Sequence, residues 1–599
     1  MKFKKLACVL ALGAVMSLGF AGCNSNDDTP ATPTTTAAAA TTTAPGGAAT
    51  PAETTAANVE APRADDESVM GRLMAANPVA QAWPLTTEAG PHFTLMVQIG
   101  GATVEDIVDN EFTHWYQEQT GVEINWDVLP SGMGQQIQLS VAAGDLPDGF
   151  VGNMGNVLMQ QLAMLDGVLV PLTDYIFAYA PNVVEMLRTT PQARDISFMP
   201  DGNIYSFLRV YDTLNEQITK RAWVYEPWLE LLGLDLPQTT EEFYDMLVLF
   251  RDEIPGLMGI PEVVPMAGAL QGNPANNEPT SFLMNSFMFY PRGNYHMRVD
   301  GQAQFVANTE EYREGLRFMR RLVESNLLTT ESWTINRGGL MAMTEGQAHG
   351  ENIVGVVTAM YWGHFTTEGG PLGRDTSFVS VPVLEGPNGV RNAYDRGMLV
   401  NNGLLTVTRE AQNVDLLVQW MDWLYDPFAQ LEYGMSAKLG PEGVGWRHAE
   451  PGELTPFGEQ ATLAFLRPND SRQRDAWFNV MGYWWPYEFT NGVVDDFMNR
   501  KESFGAQETV RNYLPWSAFH LRMPHLWVPF ELLEEFNELS GFIGGNTGEV
   551  MLWQNQFIMG DACLDNDWDD YLAALDRLNI TRLTEIWQIK LDAYYAMQG

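Results

Sequence analysis

"PHFTLMVQIGG", residues 91–101, alternates Phe93, Leu95, Val97 and Ile99 with Thr94, Met96 and Gln98, and this period of two predicts a β-strand. The following "TVEDIVDNEFTHWYQEQTGVEINWDVLP" changes to helical spacing, stops at Gly121 and becomes extended again. "MGQQIQLSVAAGDLPDGFVGN" repeats the plan with a helix, a "GDLPD" turn and a third strand. Strands alternating with helices predict an α/β chain with a mostly parallel sheet. Ligands gather at the carboxyl ends of such strands, which places Gln98, Thr103, Asn153 and Asn156 near a binding edge. Asp148 fits better as the residue that fixes the turn after Pro147.

Two later helices carry clear signals. Thr239 and Glu242 form a capping box ahead of the apolar stripe Phe243, Met246, Leu247 and Phe250. "EEYREGLRFMRRLVESNLL" buries Tyr312, Leu316, Met319 and Val323 at helical spacing. Residues 440–520 are rich in glycine and aromatics, with weak periodicity, and predict no definite element.

The N-terminus changes the picture. "MKFKK" precedes the uncharged "LACVLALGAVMSLGFAGC", the layout of an export signal over residues 1–22. Ala21 and Gly22 before Cys23 resemble a lipobox, with Cys23 as the lipidated mature N-terminus, although Phe20 stands where leucine is usual. Residues 23–66 are otherwise threonine, alanine and proline, a composition that cannot bury a core and predicts a disordered tether. Of three cysteines, Cys8 leaves with the signal and Cys563 stands alone, so no disulfide framework or cysteine-rich metal site forms. The expected location is the outer face of the cell membrane, held by lipid alone.

Charge excludes one class of partner. The chain has 34 basic and 75 acidic residues, a net −41, which is the wrong sign for nucleic acid. There is no "HExxH", "GxSxG" or glycine-rich phosphate loop, and nothing that asks for a cofactor.

Five stretches in order carry a resemblance: the "AAGDLPD" turn, "DGNIYSF", "WVYEPWLELLGLDLPQTTEEFYDMLVLF", "EEYREGLRFMRRLVESNLL" and the closing "FIMGDACLDNDWDDYLAALDRLNITRLTEIWQIKLDAYY". Together they resemble the extracellular solute-binding proteins, family 1, the sugar-binding components of bacterial ABC importers, and within them the large Gram-positive lipoproteins. The resemblance spans roughly residues 90–599. It implies a two-lobed, periplasmic-binding-protein-like fold of type II, each lobe a mixed sheet flanked by helices, with a ligand cleft between lobes. Residues 90–211 would open lobe 1, 212–374 would open lobe 2, 375–410 would return to lobe 1, and 411–599 would add helical segments to both. The implied partners are a carbohydrate, most naturally an oligosaccharide, and the permease subunits of an ABC importer, with the binding protein acting as a monomer and not as an enzyme.

Site residues follow from that cleft. "VVTAMYWGHF", residues 356–365, runs an apolar strand into rings, and the resemblance makes Trp362, with Tyr361 beside it, the stacking platform for a sugar face. Core packing is the alternative for Trp362. Arg209 and Tyr211 stand at the first crossover, where ligand contact and hinge packing are both open. Trp446, Trp484 and Trp485 are further aromatic candidates, although clusters of this kind are more often core. Some relatives carry a calcium loop after the "EEF" helix; here Asp252, Glu253 and Glu262 are too scattered to form one, and Asp565, Asp567 and Asp569 fit a helix start better. The competing readings are a secreted glycoside hydrolase and a ligand-binding lipoprotein that feeds a sensor kinase.

Overall fold

Strand β1 (Phe93–Gln98) is buried on both faces: Phe93, Leu95 and Val97 enter one apolar cluster, and Met96 enters another. A strand inside a sheet covered by helices on both sides needs no polar face, so the alternation read from the sequence is only partly an alternation of exposure. The structure, a computed structural model, describes residues 68–598 apart from 81, 100–103, 166, 272–276, 347–351, 368–369, 467–473, 478, 496–499 and 545–547. The expected export signal, Cys23, the tether and Thr103 lie outside the described residues.

The first sheet assembles from both ends of the body. β1 pairs in parallel with β2 (Ile124–Leu129) and β3 (Gly149–Val151). The helix Glu111–Thr120 connects β1 to β2; Asn110 caps its start, and Gly121 ends it at φ 74°, a conformation that glycine adopts without strain. After β4 (Ser206–Tyr211) the chain crosses over residues 212–221 into a second sheet. That sheet contains β5 (Ala222–Tyr225) and β6 (Val264–Ala267); a separate hairpin, β7 (His296–Val299) with β8 (Gln302–Phe305), follows. β9 (Val354–Thr358) and β10 (Phe378–Ser380) complete the order β10-β5-β9-β6. Because β10 still belongs to the second sheet, the return runs over 381–398 rather than starting at 375.

β11 (Leu399–Val407) then inserts antiparallel between β4 and β3. Two short antiparallel pairs follow: β12 (Met435–Ser436) with β13 (Gly440–Pro441), and β14 (Trp446–His448) with β15 (Leu463–Phe465). β16 (Tyr483–Trp485) pairs with β4 and gives the first sheet its order, β16-β4-β11-β3-β1-β2. The stretch without a legible pattern thus holds four short strands, β13 to β16, among its described residues. A third crossing leads to the helix Arg500–Asn512, where Ser380 donates to Glu508 (2.6 Å) and Tyr513 to the Val381 carbonyl (2.7 Å). The later helices, from Leu533–Ile543 to Ile580–Gln598, pack into the second lobe's core.

Local signals hold where they are strong. The Thr239–Glu242 capping box is formed, and Phe243, Met246, Leu247 and Phe250 are buried beneath the helix Thr240–Met258. On the helix Glu310–Glu324, Leu322 is buried and Val323 only partly so. The folded body starts earlier than residue 90: Leu73 is buried, Arg188 donates to its carbonyl (2.9 Å), and Trp83 packs on Trp423 with ring centroids 5.0 Å apart. No described helix is long and apolar enough to cross a membrane.

Candidate functional site

The direction of the strands decides where a site can form. β1, β3 and β4 end, and β11 begins, on the edge of the first sheet that faces the second lobe; β6 and β9 end facing back. The two carboxyl edges thus meet across a cleft, the usual binding place on sheets of this kind.

The first lobe's rim is made of amides held in place. The Gln98 side-chain oxygen accepts from Met133 N (2.9 Å) and that of Asn153 from Gly155 N (2.9 Å). Asn156 is exposed at the start of the next short helix. Arg209, half-buried, donates through Nε and Nη2 to Asn401 Oδ1 (3.2 and 2.9 Å) and through Nη1 to the Asn479 carbonyl (3.0 Å). Asn401 stands at a register shift in β11, where Gly403 takes φ 70° and donates to Ser206 Oγ (3.1 Å). In the same irregularity the Asn402 side-chain nitrogen is buried without a hydrogen-bond partner. A planar cation and fixed amides form a rim able to bind hydroxyl groups of defined geometry.

The aromatic tip of β9 is arranged differently from its expectation. Trp362 is 1% exposed and lies edge-on to Trp223, with centroids 5.6 Å apart. Three distant donors cause this. Arg221 reaches the Met360 carbonyl (2.9 Å), Trp223 Nε1 the Ala359 carbonyl (2.8 Å), and Arg337 the Gly363 carbonyl. Held so, the chain turns inward through the 3₁₀ turn Trp362–His364, and Trp362 becomes a core ring rather than an open platform. Tyr361 remains half-exposed, 4.5 Å from the His364 ring, whose Nδ1 is 2.8 Å from Asn277 Oδ1.

The other aromatic candidates are also engaged by the chain itself. Trp446 is 0% exposed and donates to the Gly440 carbonyl (2.9 Å); Trp485 is 2% exposed. Tyr211 packs on Trp485, and the Lys438 ammonium lies 3.9 Å from the Tyr211 ring and 4.1 Å from that of Trp485, so these faces already hold a cation. Trp484 is half-buried against the first lobe's core. Trp446, Trp485 and Tyr211 therefore offer no open ring face of the kind expected, and Trp484 is only partly covered.

Sequence reasoning missed the cationic hinge and a bridging segment. Lys220, Glu278, Arg292 and Arg396 interact at the crossings, with Glu278 3.6 Å from Arg292 and Arg396 paired with Glu216. Burial, opposed by Glu278, lowers Lys220 to about 8. Residues 514–532 run from the second lobe to the first: Ser517 pairs with Ala393, Arg522 with Met297, and Val528 accepts from Gln160 (2.6 Å). Next to this segment is a cavity of ≈ 370 Å³, walled by Asn156 and Gln160 of the first lobe and by Arg292, Asn294 and Tyr394. No periodicity marks either feature. Asp565 is occupied by Arg317 (2.5 Å), and Asp567 accepts from Cys563 N (2.7 Å).

The family model described as bacterial extracellular solute-binding protein matches residues 97–431. The chain is 27% identical over 501 residues to the fructooligosaccharide ABC transporter substrate-binding protein FusA of Streptococcus pneumoniae serotype 4, covering 80% of this chain and 86% of that one. It is 22% identical over 326 residues to lipoprotein LipO of Bacillus subtilis, 53% of this chain and 60% of that one. The solved structure of FusA in complex with kestose matches with a TM-score of 0.67 at 21% identity, over 84% of this chain and 99% of that chain. An extracellular solute-binding protein from Bifidobacterium longum subsp. infantis matches with a TM-score of 0.68 at 18% identity, over 85% of this chain and 99% of that chain. Two lobes joined by several crossings, a rim of amides and a match across more than half the chain lead to one assignment: the chain belongs to the bacterial extracellular solute-binding protein family.

Proposed function

We propose that this protein is the extracellular substrate-binding component of an ABC importer, that its ligand is an oligosaccharide held between the lobes, and that it hands this ligand unaltered to a membrane permease. The observation that carries the reading is the similarity to a fructooligosaccharide-binding relative over 86% of that relative's length. The rim supports it: Gln98, Asn153, Asn156, Arg209 and Asn401 offer fixed polar groups of both donor and acceptor type, as sugar hydroxyls require. Tyr361 supplies the half-exposed ring on the opposing lobe, next to His364. It takes the stacking role first expected of Trp362.

In this reading the protein works as a monomer tethered through a lipidated Cys23, with residues 24–66 giving reach. Replacing Cys23 by alanine moves the chain out of the membrane fraction; firm retention there contradicts the anchor. The ligand class is tested by thermal shift against neutral mono- and oligosaccharides, because a ligand bound only by the native state raises Tm. Oligosaccharides raise it and monosaccharides do so less. A panel in which no carbohydrate changes Tm contradicts the reading.

A further inference from the structure

In a chain with 75 acidic residues, the cavity beside the bridging segment has three basic residues on its wall, Arg292, Arg522 and Lys590, and no described aspartate or glutamate. Arg292 is partly compensated by Glu278. Lys590 is not compensated. It is 3% exposed, projects from the helix Ile580–Gln598, and forms no hydrogen bond or ion pair among the described residues. Its ammonium lies 3.8 Å from the centre of the Trp587 ring and 3.9 Å from that of Phe536. Ring contacts offset only part of the cost of removing an ammonium from water.

Two further nitrogens on the same wall are without partners. Trp527 Nε1 and His525 Nε2 are both buried and make no hydrogen bond among the described residues, and their rings are 4.9 Å apart, edge to face. A buried N–H without an acceptor is uncommon, and here the Trp527 N–H belongs to a residue that lines a cavity with an unpaired ammonium. Asp201 and Glu531 line the neighbouring cavity, which Lys590, His525 and Trp527 also border, but among the described residues neither acid pairs with Lys590.

We propose that this cavity is an anion subsite, in which Lys590, Trp527 and His525 receive an oxyanion (a carboxylate, sulfate or phosphate ester) that is either a substituent of the bound oligosaccharide or a free ion. The first source rests on the carbohydrate reading above; the second does not. Asn156 and Tyr394 on the same wall connect the subsite to the cleft rim. Burial lowers Lys590 to about 7, so an oxyanion beside it would hold the proton that burial releases.

The test uses the full mature chain and calorimetric titration. The probes are sodium sulfate against sodium chloride at matched ionic strength, and a uronic-acid trisaccharide against its carboxyl-reduced counterpart. Lys590→Met keeps the side chain's length and removes its charge; Trp527→Phe keeps a ring and removes the N–H. Binding of sulfate or of the uronate, weakened about tenfold in Lys590→Met and several-fold in Trp527→Phe while both variants keep wild-type circular dichroism, supports the subsite. Preference for the uronate over its reduced counterpart identifies a glycan substituent; sulfate binding without that preference identifies a free ion. Failure of both anions to bind, or equal binding by wild type and variants, overturns the proposal. Neutral oligosaccharide binding in that case leaves the carbohydrate reading standing. Sulfate binding with no oligosaccharide binding sinks the carbohydrate reading and keeps the subsite.

Discussion

Two aromatic segments, the tip "MYWGHF" after β9 and the bridge "RMPHLWVPF", each bury a tryptophan but differ in what surrounds it. In the tip, the carbonyls of Ala359, Met360 and Gly363 are each claimed by a donor from elsewhere in the chain, and Trp362 is drawn into the core. In the bridge, the ring nitrogens of His525 and Trp527 have no partner and border a cavity. Burial alone does not separate the two rings; the difference is a cavity beside Trp527, whose Nε1 lacks a partner among the described residues. Ring content alone does not distinguish them.

The strongest way to break this comparison is to truncate the tip. Trp362→Ala leaves a hole against Trp223 and lowers folding stability by about 3–5 kcal/mol in denaturant unfolding. Lost ligand affinity with stability unchanged would return Trp362 to the cleft and undo the contrast.

The next effect is read in the bridge's neighbourhood by pH. Burial lowers Lys590 to about 7, below its unfolded value near 10.5, so the unfolded chain binds the extra proton between those values. Wild-type stability therefore rises relative to Lys590→Met as pH increases from about 7 to about 10.5, by a few kcal/mol at most. His525 and His296, lowered by burial to about 3 and about 4, are neutral throughout that window and do not contribute. Parallel stability profiles for the two proteins would mean that Lys590 titrates as an ordinary solvated lysine.

A smaller effect sharpens the tip itself. Tyr361→Ala, at the half-exposed position beside the buried Trp362, weakens oligosaccharide binding by about 1–2 kcal/mol with little change in unfolding. Unchanged affinity removes Tyr361 from the site.

How much of this was legible depends on distance along the chain. The Thr239–Glu242 cap, the stop at Gly121 and the stripe from Phe243 to Phe250 are local, and each appears in the structure as its pattern predicts. The order of strands and helices was legible for the same reason. The burial of Trp362 was not, because it depends on donors outside its own segment, whereas core packing of Trp446 and Trp485 is the commoner fate of such clusters. The packing of Leu73 and Trp83 onto the first lobe, and the short strands between 435 and 485, likewise rest on contacts between remote segments. The rim amides Gln98, Asn153 and Asn156 were named from strand direction, a topological rule that needs no side-chain detail. Asn401 and Gly403 were missed because a register shift leaves no mark beyond an ordinary "NNG".

The central claim is that an oligosaccharide binds between two lobes that close on it. Small-angle scattering tests this most directly, on the mature body with and without a saturating amount of whichever oligosaccharide raises Tm most. Hinge closure about the crossings predicts a smaller radius of gyration in the bound sample. Superimposable profiles for free and saturated protein would contradict it.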